Sequence, residues 1–328
     1  MIKLKYLFNN TDLAEMLLQN WSYDADSLDL FQYYRISSNA IYPFRFEGNT
    51  RLLRFAPQSE KNKANTLAEL AFIAYLKENG FNVLEAIASK QGAELIETAT
   101  PWGNYAASVF KRVPGQSFDQ ADFNAATLFV YGKTLGELHR LSSTYTPKKH
   151  RRWTYEEVLD WIEEELSAFP EETAALCEVK QLRNYFQTWP VSAAHFGLIH
   201  YDFECDNVFY DRETGLCHVI DFDDAMYHWY AMDIYAALES LQEFIAREDW
   251  ERKKQHFVDG YTSEFVWNVE TEAMLPGCKR FDNLYSYARV KRAIGETWHN
   301  EPAWMMQLRS RLEQSLKEAE AFFGKEIE

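Results

Sequence analysis

Two short stretches concentrate the side chains able to do chemistry. "LIHYDFECDNVFY" sets Asp202, Glu204, Asp206 and Asn207 between the apolar pair Leu198 and Ile199 and a Val-Phe-Tyr run. "HVIDFDDA" leads Val219 and Ile220 straight into Asp221, Asp223 and Asp224. From His200 to Asp224 the chain carries eight acids against one arginine. A turn needs only one or two polar groups, and clustered carboxylates between segments of core character repel one another. A cation would relieve that repulsion. The polar "DRETGL" separates the two stretches, and two short strands joined by a turn bring the acids before the first beside those after the second. A solvated acidic hairpin or a calcium loop is the competing reading. The apolar flanks oppose the first, and the alternating acids, glycine and distant glutamate of an EF-hand are absent.

The order H-x-D-x-x-x-x-N, strand, turn, strand, I-D matches the catalytic and metal-binding loops of kinases. In such a loop Asp202 accepts or orients the proton of an attacking hydroxyl, and Asn207 and Asp221 supply hard oxygen ligands to magnesium on the nucleotide phosphates. His200 is assigned a structural hydrogen-bonding role. The longer pattern "GLIHYDFECDNVFY", "VIDFDDA" and "AMDIYAAL" resembles the aminoglycoside phosphotransferase-like kinases, the group that includes choline, homoserine and fructosamine kinases. The resemblance implies that Asp233 ties its helix to the catalytic loop. It extends through "YGKTLGELHRLS", which ends near His139, and through a small lobe that includes "RLLRF". Three positions depart from the family: Tyr201 stands where glycine is usual, the loop at residues 37–44 has no glycine, and Arg54 replaces the protein-kinase lysine.

Arg54 can hold phosphate oxygens and pair with a carboxylate through its planar, permanently charged fork. Glu69 is the expected partner, because its spacing from Ile73 and Leu76 turns it partly inward, where a carboxylate needs one.

The elements that must position these groups are legible in outline. "LFQYYRISS" and "RLLRFAP" carry strand-like density around the turn signal in "FEGNTR", which predicts a β-hairpin. Residues 65–79 have helical apolar spacing and stop at Gly80. "NAATLFVYGKTLGELHRL" and "TYEEVLDWIEEELSAF" predict amphipathic helices. The carboxy-terminal "AWMMQLRSRLEQSLKEAEAFF" predicts another, with Trp304, Leu308, Leu312 and Leu316 as its apolar stripe. Pro114-Gly115 marks the expected boundary between a nucleotide-binding lobe, 1–113, and a catalytic and acceptor-binding lobe, 114–328.

Composition bounds the partners. The 328 residues are 47% hydrophobic and carry a formal charge of −16, so nucleic acid and anionic membranes are disfavoured. Four cysteines without a C-x-x-C pair fit a reducing cytoplasm, and no apolar run reaches the length of a membrane span. The expected fold is α+β and two-lobed, protein-kinase-like, with a small sheet-plus-helix lobe and a larger helical one. The expected activity is transfer of the ATP γ-phosphoryl group, with Mg2+, to a hydroxyl of a small molecule. A cationic acceptor is expected from the net charge, the acids around the catalytic loop and those of the helix near residues 155–166. A protein Ser/Thr kinase and a nucleotide-binding pseudokinase are the alternatives.

Overall fold

The computed structural model describes residues 1–327. The amino-terminal part builds an antiparallel sheet from β1 (Arg35–Ile36), β2 (Ala40–Phe46), β3 (Asn49–Pro57), β4 (Glu85–Ile87), β5 (Ile96–Thr100) and β6 (Gly103–Lys111). The order is β1-β2-β3-β6-β4, with β5 also on β6. Alternation in β2 and β3 buries Tyr42, Phe44, Leu53 and Phe55 on one face, under α1 (Thr11–Leu18) and Trp21. The other face, which includes Arg54 and Phe110, receives α2 (Lys63–Glu78). Asn62 caps α2 by accepting the Ala64 N–H at 2.8 Å.

The hairpin forms, but its first strand begins later than its composition suggests. Residues Ala25–Tyr33 coil into a 3-10 helix, leaving only Arg35–Ile36 of "LFQYYRISS" extended. The cause is local polar chemistry: Ser27 N–H and Oγ donate to the Asp24 carbonyl at 2.9 and 2.7 Å, and the Asp24 carboxylate accepts the N–H groups of Glu47 and Gly48. Glu47 and Gly48, at φ +52° and +74°, make the two-residue turn from β2 to β3. The glycine-free loop is correspondingly short: only residues 37–39 separate β1 from β2, because Tyr42 and Phe44 belong to the sheet.

Beyond β6 the chain passes Pro114-Gly115, where a Cβ on Gly115 would lie 2.4 Å from the Tyr210 carbonyl oxygen. The small strands β7 (Gln116–Ser117), β8 (Phe196–Ile199), β9 (Val208–Asp211), β10 (Leu216–Val219) and β11 (Met226–Trp229) form two little sheets, β10-β9-β7 and β11-β8. Around them pack α3 (Ala125–Ser142), α4 (Tyr155–Ser167), α5 (Thr173–Gln187), α6 (Ala231–Phe244), α7 (Trp250–Thr262), α8 (Val269–Ile294) and α9 (Ala303–Glu320). Capping boxes at Asn124/Thr127 and Thr154/Glu157 fix the starts of α3 and α4.

One core joins α2 to α3, α6, α7, β9 and β10; a second joins α4, α5, α8 and β11. In α9 the buried residues are Met305 and Leu316. Of the expected stripe, Leu316 is buried and Leu308 and Leu312 are half-buried, whereas Trp304 is exposed and edge-packs on Phe8. No helix of the described residues is long and apolar enough to cross a membrane.

Candidate active site

Strand pairing assembles the acidic centre. Val208 stands opposite Val219, so the residues preceding β9 and following β10 are neighbours. The Ile220 N–H donates to the Asn207 carbonyl at 3.0 Å, which sets Asp221 beside Asn207. Asn207 Nδ2 donates to the Asp202 carbonyl at 3.0 Å and to Asp202 Oδ2 at 2.9 Å. That orientation leaves the Asn207 amide oxygen available as a hard ligand. Asp202, Asn207 and Asp221 therefore occupy one small region.

Buried polar groups hold the loop. His200 Nε2 donates to the Ile220 carbonyl at 2.8 Å, joining the catalytic loop to the segment before Asp221. Asp233 is fully buried at the start of α6 and accepts three donors: the His200 N–H at 2.8 Å, the Tyr201 N–H at 2.6 Å and His139 Nε2 at 3.1 Å. The Tyr261 hydroxyl lies 2.8 Å from His139 Nδ1 and donates to it in this tautomer. Tyr201 and Asp221 are both left-handed, at φ +73° and +64°. Each conformation costs about 1–2 kcal/mol outside glycine, so the surrounding hydrogen bonds must hold it. The Tyr201 ring does not obstruct the loop: it is buried against Phe281 and Tyr285, and its hydroxyl donates to Asp282 at 2.8 Å.

Arg54 and Glu69 meet as a bidentate pair, at 2.7 and 2.9 Å, with both side chains buried. The guanidinium also lies 4.7 Å from the Phe110 ring centroid. The charges of Asp223 and Asp221 act on it, placing the pair beside the second acidic stretch.

The electrostatics are those of a site short of positive charge. Burial, then the charges of Glu204, Asp224 and Asp221, push the Asp202 carboxyl up to about 8. Asp221 opens to the cleft, yet desolvation by the crowded protein on its other sides and the Asp223 charge push it up to about 6. Glu204 rises to about 7 through burial and its neighbours Asp206, Asp282 and Glu243. Asp223 and Asp224 move the opposite way despite burial, because Lys61 pairs with the first and Arg289 Nη1, at 2.8 Å, with the second.

A cavity of about 380 Å³ adjoins this centre, between α4, α8 and the segment after Asp221. Trp153, Trp161 and Tyr285 give it aromatic walls. Its acids are matched by cations: Glu60 and Glu165 pair with Arg292 at 2.8 and 3.2 Å, alongside the Asp224–Arg289 and Asp223–Lys61 pairs. Of the other acids of α4, Glu157 pairs with Arg151, and Asp160 and Glu163 pair with Arg183.

Sequence reasoning overlooked Lys61, Arg152, Asp282 and Arg289. Arg152 donates to the carbonyls of Ala225, Asn65 and Asp223 and so fixes the segment after Asp221. These residues lie far from the acidic stretches in sequence and carry no spacing signal; tertiary packing alone brings them in.

The chain matches the model of the phosphotransferase enzyme family over residues 36–270. It is 24% identical over 278 residues to amicoumacin kinase of Bacillus subtilis (strain 168), covering 80% of each chain. Among solved structures, an amicoumacin kinase in complex with AMP-PNP, Ca2+ and Ami superposes with a TM-score of 0.77 at 20% identity, over 97% of this chain and 95% of the other. A microcompartment-associated aminopropanol kinase gives 0.69 at 20% identity, over 95% and 97%. A spectinomycin phosphotransferase with ADP and its antibiotic gives 0.56 at 14%, over 94% and 93%. The likeness extends across both the sheet-rich and the helical part, which establishes the protein-kinase-like fold. The chain belongs to the phosphotransferase enzyme family.

Proposed function

We propose that this protein is an ATP-dependent kinase that phosphorylates a hydroxyl of a small amine-bearing molecule, with Asp202 as the residue that takes or orients the hydroxyl proton. The observation that carries the reading is the convergence of Asp202, Asn207 and Asp221 beside an aromatic-walled cavity. Among the described residues no three His, Cys, Asp or Glu side chains converge to hold an ion by themselves. The donor set nevertheless fits magnesium: the Asn207 amide oxygen is free, Asp221 is repelled by its neighbours, and phosphate oxygens and water can complete a shell of hard ligands. Bound there, the ion would neutralise charge on the nucleotide phosphates.

The remaining steps belong to the chain. Arg54, steadied by Glu69, reaches phosphate oxygens from β3. Asp202 lies close enough to Asn207 to be oriented by its amide, and its raised proton affinity suits it to receive a proton. His200 and Asp233 keep the loop in its left-handed turn. Positioning and charge placement supply the rate.

A positive charge on the acceptor is supported by Glu204, whose charge acts on Asp202 and whose carboxyl is pushed up by burial and by the neighbouring acids Asp206, Asp282 and Glu243. An ammonium near them would restore balance. The cavity's own charges are already balanced. The names of the relatives point the same way, an aminopropanol kinase among them.

The test is ATP-dependent phosphorylation across amino alcohols, amino sugars and aminoglycosides, with mass detection, for the wild type and Asp202→Asn. The substitution should lower turnover about 10²- to 10⁴-fold while nucleotide binding persists. Wild-type turnover in the variant would overturn the role of Asp202. Preference for a neutral or anionic acceptor, with a KM insensitive to salt, would overturn the amine.

A further inference from the structure

Arg289, like Lys61, Arg152 and Arg292, makes contacts that join the two halves of the molecule around the cleft. It projects from α8 with a side chain 19% exposed. Nη1 pairs with Asp224 Oδ2 at 2.8 Å, three residues after Asp221; Nη2 donates at 3.0 Å to the hydroxyl of Ser38, in the loop between β1 and β2. The Tyr285 ring centroid lies 5.1 Å from the guanidinium carbon. Its charge acts directly on Asp202, and Asp202 acts on it.

The other cations have fixed duties. Arg54 spends both Nη groups on Glu69, Arg152 serves three carbonyls, and Lys61 pairs with Asp223. Arg289 uses two of its five N–H donors on Asp224 and Ser38, and only the first partner is charged. A phosphoryl oxygen is a stronger acceptor than a serine hydroxyl. With Asp224 anchoring one arm, the other can exchange Ser38 for phosphate without moving the helix.

The geometry points to Arg289 as a catalytic residue that donates from Nη2 to the equatorial oxygens of the phosphoryl group in transfer. This rests on the kinase reading above. The acceptor oxygen forms its bond to the γ-phosphorus as the bond from that phosphorus to the bridging oxygen breaks, its electron pair leaving with ADP. The hydroxyl proton passes to Asp202. Arg289 keeps all its protons and changes only hydrogen-bond partners, offsetting negative charge as it spreads over the equatorial oxygens.

The test needs no identified acceptor. Magnesium-ADP binding is measured by calorimetry with and without aluminium fluoride, a mimic of the transferring phosphoryl group, for wild type, Arg289→Gln and the charge-balanced Arg289→Gln/Asp224→Asn double variant. The wild type should bind ADP more tightly with fluoride. Both variants should lose about 10- to 100-fold of that gain, the worth of a charge-assisted hydrogen bond, while affinity for magnesium-ADP alone changes by less than about threefold. Retention of the fluoride gain in both variants overturns the proposal. So does an equal fall in affinity with and without fluoride, which would make Arg289 a positioning residue for the loop. A wild type that binds magnesium-ADP but phosphorylates no amine-bearing acceptor overturns the acceptor assignment while the fluoride comparison still decides Arg289; a wild type that does not bind magnesium-ADP overturns both.

Discussion

Asp233→Asn changes one atom and should disable the catalytic loop. Oδ1 accepts the Tyr201 N–H at 2.6 Å, while Oδ2 accepts the His200 N–H at 2.8 Å and His139 Nε2 at 3.1 Å. An asparagine must turn its NH2 toward one of these two positions. If it faces His139 and His200, the imidazole can switch tautomer and accept, donating instead to Tyr261, but the His200 amide then meets a donor. If it faces Tyr201, that amide is opposed in the same way. Either orientation leaves one buried backbone N–H unsatisfied, at about 1–3 kcal/mol, and weakens the remaining bonds by removing their charge. The loss falls either on Tyr201, held at φ +73°, or on the residue just before it, so the strained turn also loses a restraint. We expect a destabilisation of about 2–4 kcal/mol and, because a displacement of about 1 Å at a reacting group costs on the order of 10²-fold, a comparable fall in kcat in the folded fraction. Urea denaturation and steady-state kinetics measure both. A variant within about 0.5 kcal/mol of wild type and with unchanged kcat would refute the argument that this carboxylate holds the loop.

Four further outcomes are expected. Arg54→Met should cost about 3–5 kcal/mol, because Glu69 is left buried and unpaired, whereas Arg54→Met/Glu69→Leu should recover much of that in denaturant melts while still binding nucleotide poorly. Asp221→Ala should abolish the magnesium dependence of nucleotide binding, visible as equal calorimetric affinities with and without the ion. Burial lowers His139 and holds His228 down to about 3; the unfolded chain therefore binds more protons, so their contribution is full above about pH 6.5 and declines below it at about 1.4 kcal/mol per unit per histidine. His228→Gln should flatten the stability profile between about pH 6.5 and 5, and an unchanged slope would remove this histidine from the account. Gly132→Ala should destabilise by about 1–3 kcal/mol in thermal melts, although the same change favours an isolated helix by about 1 kcal/mol.

The meeting of the two acidic stretches was legible because it is local. Two apolar segments that end and begin in acids, with a polar turn between them, can fold back in few ways, and the observed pairing of Val208 with Val219 is that fold. A helix limit was legible in "TYEE", where Thr154 and Glu157 form a capping box, whereas α2 starts two residues before its expected start, capped by Asn62. What the sequence did not disclose depends on partners remote in the chain. Asp24 organises a turn beyond Glu47 and diverts an apolar, aromatic stretch from strand to 3-10 helix. Glu157, Asp160, Glu163 and Glu165, four of the six acids of α4, look like a free negative surface until Arg151, Arg183 and Arg292 are placed beside them. Tyr201 looks like an obstruction until its ring is seen to turn away toward Asp282.

The glycines of α3 show how such remote fitting reaches the catalytic loop. A Cβ on Gly132 would lie 2.0 Å from the Phe257 carbonyl oxygen, and one on Gly136 would lie 2.5 Å from that of Tyr261. On α7, Gly260 is equally tight, 1.9 Å from the Phe129 carbonyl oxygen. The two helices thus meet backbone to backbone, closer than side chains would allow. Three residues beyond Gly136 on the same helix, His139 receives the Tyr261 hydroxyl and passes its other ring nitrogen to Asp233. A wider α3–α7 spacing would draw Tyr261 from His139 while leaving the apolar contacts able to adjust. The glycines, which weaken α3 as an isolated helix, therefore fix the distance on which a buried hydrogen-bond chain depends, and that chain ends on the two amides that shape the loop carrying Asp202.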